Sequence, residues 1–277
     1  MAILHYFNGE WVPEEKLLLP VKDLSVVRGF GVFDFLRTYH GKPFRLADHI
    51  ARFYRSAGFL ELEVPLNEQE LTEVVNEGIE KNGLPETGVR LTLTGGVASD
   101  PYAITPGKPS LIVTFGPISS PDPELYRNGG KVITTPYVRQ LPQAKSLNYM
   151  LAVLAHKEVK RQGAVEAVYV DKSTGRLYEG TIANVMVVKD GTVITPKDDV
   201  LIGITRNVVL ELCEQLGIPY REENLSMNDL GSYQEMFITG TTKEVMPITQ
   251  VDDQVVGDGK VGPVTTKLVN AFLELTK

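Results

Sequence analysis

The stretch Gly116-Pro-Ile-Ser-Ser-Pro-Asp-Pro-Glu124 constrains the fold more than any other part of the chain. Its prolines fix φ and withhold backbone N–H donors, so neither a long helix nor a central strand runs through it. Its serines and aspartate favour turns. We read residues 117–124 as an interdomain linker between a small N-terminal α/β domain, residues 1–116, and a larger C-terminal α/β domain, residues 125–277. A chain of 277 residues with 43% hydrophobic and 23% charged side chains has the length and the apolar content for two such cores.

Strand and helix signals alternate on both sides of the linker. The N-terminal part opens with a strand that turns at Asn8-Gly9. Val21 to Gly31 reads as a strand and turn, and Val32 to Tyr39 as a strand ending at His40-Gly41. Leu46 to Leu60 is a helix whose buried stripe is Ile50, Phe53, Tyr54 and Ala57, with Arg52 and Arg55 on other faces. Glu68 to Lys81 is a second helix, with Asn67 as N-cap, Glu70 completing a capping box and Gly83 as its stop. Strands at Val89–Thr94 and Ser110–Phe115 flank a polar loop containing Gly95-Gly96, Pro101, Pro106 and Pro109.

After the linker come a strand at Lys131–Tyr137, an apolar-periodic helix running to Gln162, and strands at Glu166–Asp171 and Leu177–Lys189. The last of these turns at Asp190-Gly191, a strong hairpin signal. A helix follows Gly203-Ile-Thr205, with Thr205 as N-cap and Gly217 with Pro219 as the stop. A strand at Glu235–Thr239 and a helix from Val264 close the chain.

A net charge of −7 without a long basic run argues against nucleic acid or an anionic membrane as partner and favours small molecules. The N-terminus lacks the basic flank and apolar core of a signal peptide, and no apolar run reaches membrane-spanning length. The single cysteine, Cys213, falls in the periodic segment Val208, Val209, Leu212, Leu216 and reads as a core residue, so no intrachain disulfide forms. These features predict a cytoplasmic protein. No metal is expected. Gly29-Phe-Gly31 imitates the start of a dinucleotide fingerprint, but Asp34 stands at the third glycine and no helix opens there.

The stretch Pro142-Gln-Ala-Lys145-Ser-Leu-Asn-Tyr149 delivers a lysine directly before a helix. A lysine attacks carbonyls only as the neutral amine, so its ordinary pKa of about 10.4 must be lowered by burial or nearby cations. Leu147, Met150, Leu151, Val153 and Leu154 recur at helical spacing after it and predict that a core anchors this backbone. Three segments could grip a phosphate: Gly203-Ile204-Thr205 at a helix start, Gly240-Thr241-Thr242 after a strand, and the planar fork of Arg52. Taken singly, each reads first as an ordinary cap, turn or surface arginine, and they gain weight only together. Glu179 interrupts an apolar strand beside Gly180, and is either a solvent-facing carboxylate or a partner for a cofactor's ring nitrogen.

Together, Lys145-Ser-Leu-Asn-Tyr-Met, Tyr178-Glu-Gly-Thr-Ile-Ala-Asn-Val, Gly203-Ile-Thr-Arg206, Phe237-Ile-Thr-Gly-Thr-Thr-Lys-Glu-Val-Met-Pro247 and Gly262-Pro-Val-Thr265 resemble the fold-type IV pyridoxal-phosphate enzymes in order and spacing, over nearly the whole chain. That family includes D-amino-acid aminotransferases, branched-chain aminotransferases and aminodeoxychorismate lyases. The resemblance implies a two-domain α/β fold of the D-amino-acid aminotransferase type and a homodimer, with the active site at the domain junction near the second subunit. It implies pyridoxal 5′-phosphate in a Schiff base with Lys145, Glu179 on the pyridine nitrogen, Tyr149 near the phenolic oxygen, and Arg52, Ile204, Thr205 and Thr241 around the phosphate. The reaction implied is transamination: substrate amine displaces Lys145, the freed amine moves the α-proton, and hydrolysis leaves a keto acid.

Recognition of the α-carboxylate calls for arginine. Arg28, in the turn Arg28-Gly29-Phe30-Gly31, and Arg90, on the face of a strand with Thr92 and Thr94, are the candidates, with Phe30 and Thr242 beside the substrate. Branched-chain aminotransferases carry a tyrosine two residues before the arginine that Arg90 resembles, and here that residue is Gly88. The familiar D-amino-acid aminotransferases carry an arginine and a histidine slightly later, and Thr94-Gly-Gly-Val-Ala-Ser99 has neither. The segments Arg-Gly-Phe-Gly and Arg-Leu-Thr-Leu-Thr-Gly-Gly look more like a less usual group of D-amino-acid aminotransferases. The expectation is therefore transfer from a D-amino acid to 2-oxoglutarate. The alternatives are a branched-chain L-amino-acid aminotransferase, a lyase acting on aminodeoxychorismate, and a catalytically idle protein that retains the fold.

Overall fold

A computed structural model describes residues 2–98, 100 and 104–277; Ser99 and Pro101 of the polar loop lie outside the described residues. The chain divides into two units: Met1–Ser119 with Gln143–Asn148, and Ser120–Pro142 with Tyr149–Lys277. The division falls inside the proline-rich stretch, whose end is already the first turn of a helix, Pro123–Asn128. The short return of Gln143–Asn148 to the first unit has no counterpart in a linear partition of the sequence.

In the first unit β1 (Leu4–Phe7) and β2 (Glu10–Pro13) form the opening hairpin, with Asn8 at φ 49° and Gly9 at φ 101°. The Val21–Gly31 region corrects the expected strand: it holds a short helix, α1 (Leu24–Arg28). Asp23 caps it by accepting from the Ser25 N–H, and Gly29 ends it in the left-handed region, so a local cap outweighs the β propensity of the valines. β3 (Gly31–Tyr39), β4 (Lys42–Pro43), α2 (Leu46–Phe59), α3 (Glu68–Asn82), β5 (Thr87–Thr94) and β6 (Leu111–Pro117) follow. The sheet order is β2-β1-β6-β5-β3-β4. The capping box of α3 is present as predicted, with Gly83 at its C-cap. Ile50, Phe53, Ala57, Leu71 and Val75 of the two helices bury against Val32, Leu36, Val89, Leu91 and Val113 of the sheet.

In the second unit, α4 (Pro123–Asn128), β7 (Gly130–Pro136), α5 (Met150–Arg161), β8 (Glu166–Val170), β9 (Arg176–Gly180), β10 (Asn184–Lys189), β11 (Thr192–Thr195), α6 (Ile204–Leu216), β12 (Tyr220–Glu222), β13 (Leu225–Ser226), β14 (Glu235–Gly240), β15 (Glu244–Val251), β16 (Gln254–Val255) and α7 (Pro263–Leu275) appear in turn. Nine of the strands follow one path, β12-β11-β10-β14-β15-β7-β8-β9-β13. The expected single strand from Leu177 to Lys189 is two, β9 and β10, which pair antiparallel at Glu179 and Asn184. Cys213 is fully buried in α6, and that burial pushes its thiol up to about 11.

Two expectations about helices need correction. Thr205 is not the N-cap of α6; Gly203 is, and Thr205 lies inside the first turn. On α5 the buried residues are Ala152, Ala155 and Val159, whereas Met150, Leu151, Val153 and Leu154 are exposed. The small alanine stripe lets the helix approach Ile133 and Ala167 of the sheet, so the larger apolar side chains face away.

Candidate active site

Strand pairing holds Lys145, not the core of the helix that follows it. Within the first unit the Phe33 N–H donates to the Lys145 carbonyl at 2.9 Å, and the Leu147 N–H donates to the Gly31 carbonyl at 2.9 Å. Ser146 bridges Val32 in antiparallel register, and the Lys145 N–H donates to Oγ of the fully buried Ser56 on α2 at 3.1 Å. The segment is pinned to the start of β3 by this single bridge and its flanking hydrogen bonds. Gly31 makes this approach feasible, since a Cβ there would sit 2.5 Å from the Leu93 carbonyl oxygen and 2.7 Å from Leu147 Cδ1. The half-buried Lys145 side chain places Nζ 4.6 Å from the centroid of the Phe33 ring.

Arg52 lies on a buried face of α2, not on an outer one. Its Nε donates to Asp34 Oδ2 and its Nη2 to Asp34 Oδ1, each at 2.8 Å, a bidentate fork on a carboxylate with no exposure. His49 Nδ1 lies 2.7 Å from Asp34 Oδ1. Burial lowers the proton affinity of His49 beyond what Asp34 restores, with Arg52 and Lys145 acting in the same direction as burial. The neutral ring therefore donates from Nδ1 to Asp34, and its 3.4 Å approach to Arg52 Nη2 is adjacency rather than a hydrogen bond. Burial alone would raise the Asp34 carboxyl, but the charges and donated hydrogen bonds of Arg52 and His49 outweigh it and hold the group well below the usual carboxylate range.

Of the other predicted residues in the first unit, Arg28 is exposed at the end of α1, where its Nη1 donates to the Val27 carbonyl at 2.8 Å. Phe30 is half-buried. Arg90 sits on β5 opposite Phe35, and its guanidinium carbon lies 4.0 Å from the centroid of Phe33. At Gly88 a Cβ would meet Phe35 Cζ at 2.9 Å, so the Phe35 ring occupies the space a larger residue would need.

In the second unit Glu179 is buried, which decides against a solvent-facing carboxylate. Oε1 accepts from Arg139 Nη1 at 2.8 Å, and Oε2 accepts from the Leu201 N–H at 3.0 Å. Arg139 Nη1 also donates to the Pro142 carbonyl at 3.1 Å. Burial works against the charge on Arg139, yet Glu179, with the Tyr149 and Tyr169 phenols behind it, holds the guanidinium more firmly protonated than usual. Tyr149 is half-buried at the N-cap of α5. Ile204 and Thr205 are buried in the first turn of α6, a helix whose N-cap Gly203 supplies no side-chain hydrogen bond. First-turn N–H groups have no partner within their own helix. Thr241 and Thr242 form the turn between β14 and β15, closed by the Lys243 N–H donating to the Gly240 carbonyl at 3.1 Å.

Sequence reasoning missed Asp34, His49, Phe33 and Arg139. Asp34 carried a signal, as a charge inside the apolar run Val-Phe-Asp-Phe-Leu, and His49 with Arg52 had the i, i+3 spacing of neighbours on one helix face. Arg139 carried none. No group of acidic, histidine and cysteine side chains suited to a metal occurs among the described residues, and no helix among them is long and apolar enough to cross a membrane.

Comparison with known proteins gives a consistent result. Residues 31–251 match the family Amino-transferase class IV. A Methanocaldococcus jannaschii protein named for branched-chain-amino-acid aminotransferase activity is 37% identical over 281 residues, covering 98% of this chain and 95% of that one. The D-alanine aminotransferase of Bacillus licheniformis is 34% identical over 278 residues, covering 98% and 97%. Among solved structures, the branched-chain amino acid aminotransferase of T.th. with pyridoxamine 5′-phosphate superposes with a TM-score of 0.92 at 30% identity, covering 100% of this chain and 94% of that one. The same enzyme complexed with N-(5′-phosphopyridoxyl)-L-glutamate gives a TM-score of 0.91 at 30% identity, covering 100% and 94%.

Proposed function

The chain belongs to the class IV aminotransferases, and on that premise we propose that its amino donor is a D-amino acid and its acceptor 2-oxoglutarate. It has the fold-type IV architecture and is a pyridoxal-phosphate-dependent aminotransferase. The bound cofactor supplies an aldehyde that takes up the substrate amine and a ring that withdraws electrons from the α-carbon.

The residues fit such a group. The first-turn amides of Ile204 and Thr205 and the helix dipole suit a phosphate, with the Thr241 hydroxyl as a further donor. The family resemblance assigns Arg52 to the same phosphate, although its Nε and Nη2 already hold Asp34. The buried Glu179 carboxylate suits a protonated ring nitrogen, and the Tyr149 hydroxyl suits a phenolic oxygen. Lys145 provides the amine that holds the aldehyde. With the cofactor bound, Lys145 Nζ would serve as the base that holds and moves the substrate's α-proton. Arg90 would grip the α-carboxylate, and the family resemblance adds Phe30 and Thr242 as substrate contacts. Lys145→Ala should lower transamination by at least about a thousandfold while cofactor added in excess still binds; a loss under about tenfold would remove Lys145 from its role.

The observation that carries the choice of substrate is at Gly88. The tyrosine of the branched-chain signature is absent, and the Phe35 ring fills the space where its side chain would begin. The branched-chain name of the Methanocaldococcus jannaschii relative supports the second reading, an L-branched-chain donor. A half-reaction scan with D- and L-alanine, glutamate and leucine, following loss of the cofactor's visible absorbance, separates the two. D-alanine or D-glutamate is expected to react at least about tenfold faster than L-leucine, and the opposite order would overturn the proposal. Pyruvate release from aminodeoxychorismate without an amino acceptor would make the chain a lyase.

We also propose that the enzyme acts as a homodimer. Val26 and Val27 are exposed on the helix that carries Arg28, an apolar patch that a second copy of the chain would cover. Sedimentation at the monomer mass throughout the micromolar range would exclude it.

A further inference from the structure

Among the described residues, Phe33 touches both the proposed proton-carrying lysine and the proposed carboxylate-binding arginine. Its backbone N–H holds the Lys145 carbonyl at 2.9 Å. Its ring lies 4.6 Å from Lys145 Nζ and 4.0 Å from the Arg90 guanidinium carbon, both within the reach of a cation–π attraction. The ring is buried, whereas Arg90 is exposed, and a guanidinium seated on a fixed ring gives up part of the rotamer freedom of its long side chain. Both head groups therefore take their positions from one fixed ring.

We propose that Phe33 is a positioning residue that sets the spacing between the Lys145 amine and the Arg90 guanidinium, and so the two-point grip on an α-amino acid. The inference rests on the roles proposed above for Lys145 and Arg90. In such a substrate the α-carbon and the carboxylate are joined by one bond. A base acting on the first and a fork holding the second must therefore keep a fixed separation. Once substrate has released it, the Lys145 amine needs a surface to rest on while it carries the proton, and the ring is that surface.

The test replaces Phe33 by 3,5-difluoro- and 3,4,5-trifluorophenylalanine, which keep the shape of the ring while draining its negative face. Phe33→Leu and Phe33→Tyr serve as the outer limits. KM for the amino donor should rise stepwise along the fluorinated series, about three- to tenfold in total. Phe33→Leu should exceed that loss, and Phe33→Tyr should recover most of it. In an Arg90→Met background the same series should leave KM nearly level, because the group that joins the ring to the substrate carboxylate is gone. A readout independent of turnover comes from apoprotein labelled with ¹³C-lysine and ¹³C-arginine. The Lys145 Hε and Arg90 Hδ resonances should show ring-current shifts that vanish in Phe33→Leu and persist in Phe33→Tyr.

A flat KM along the fluorinated series, equal slopes with and without Arg90, or absent ring-current shifts would each overturn the positioning role. A wild-type enzyme that transaminates no amino acid would instead overturn the function proposed above, while leaving the ring-current arm to report on the geometry alone.

Discussion

The two units each present a buried charge pair, with opposite polarity. In the first, Asp34 on β3 holds Arg52 and His49 on α2, so a carboxylate orients a cation. In the second, Arg139 in an irregular segment holds Glu179 on β9, so a cation orients a carboxylate. Asp34 has no exposure and three donors from one helix, whereas Arg139 keeps 15% of its side chain exposed and shares Glu179 with the Leu201 N–H. Burying a pair is costly, and removing one member leaves the other charge desolvated. The first pair should therefore matter most to stability and the second most to the cofactor.

The largest effect expected from breaking that contrast is on the stability of the first pair. Asp34→Ala strands Arg52 and His49 and should cost about 3–5 kcal/mol in urea denaturation, with Asp34→Asn losing less. A cost below about 1 kcal/mol would show that the pair is not desolvated as described.

The corresponding change in the second unit, Arg139→Met, should cost no more than about 1–3 kcal/mol, because the Leu201 amide still serves Glu179. It should weaken pyridoxal phosphate binding by about tenfold, as measured by cofactor titration of the apoprotein, and Glu179→Gln should weaken it comparably. Equal stability losses from Asp34→Ala and Arg139→Met would erase the contrast.

The smallest effect lies in the pH dependence. The folded-state values of both Asp34 and His49 are lowered, so the contribution of each is present above its unfolded value and is lost on acidification. Stability should begin to fall below about pH 6.5, as the unfolded chain protonates His49, and fall more steeply below about pH 3.9, where Asp34 joins it. Asp34→Asn should flatten the lower limb in urea titrations between about pH 3 and 5. An unchanged slope would separate acid sensitivity from this pair.

Helices α2 and α5 show where the sequence was legible and where it was not. On α2 the buried stripe of Ile50, Phe53 and Ala57 follows from helical periodicity, because these are the large apolar positions and they share one face. Arg52 was legible as a candidate ligand but not as buried, since only the pairing of β3 with α2 puts Asp34 against it. On α5 two faces are apolar, one of alanines and one of Met150, Val153 and Leu154. Periodicity tells which residues share a face, but not which face the sheet accepts. The sheet accepted the small one. The capping box of α3 and the turns at Asn8-Gly9 and Asp190-Gly191 needed no tertiary knowledge, because their geometry is satisfied within a few residues.

By itself the sequence determined the alternation of elements and a proline-rich linker at residues 117–124, and it marked Lys145, Glu179 and the α6 start as candidate positions for chemistry. These depend on local backbone preference and on motifs read along the chain. Only the tertiary structure decided what holds each of them: the edge of β3 under Lys145, Asp34 behind Arg52, Arg139 behind Glu179, and the Phe33 ring between Lys145 and Arg90. Such partners are mostly far apart in the chain. Their attraction acts through space once the chain has folded, and no spacing rule along the sequence anticipates it.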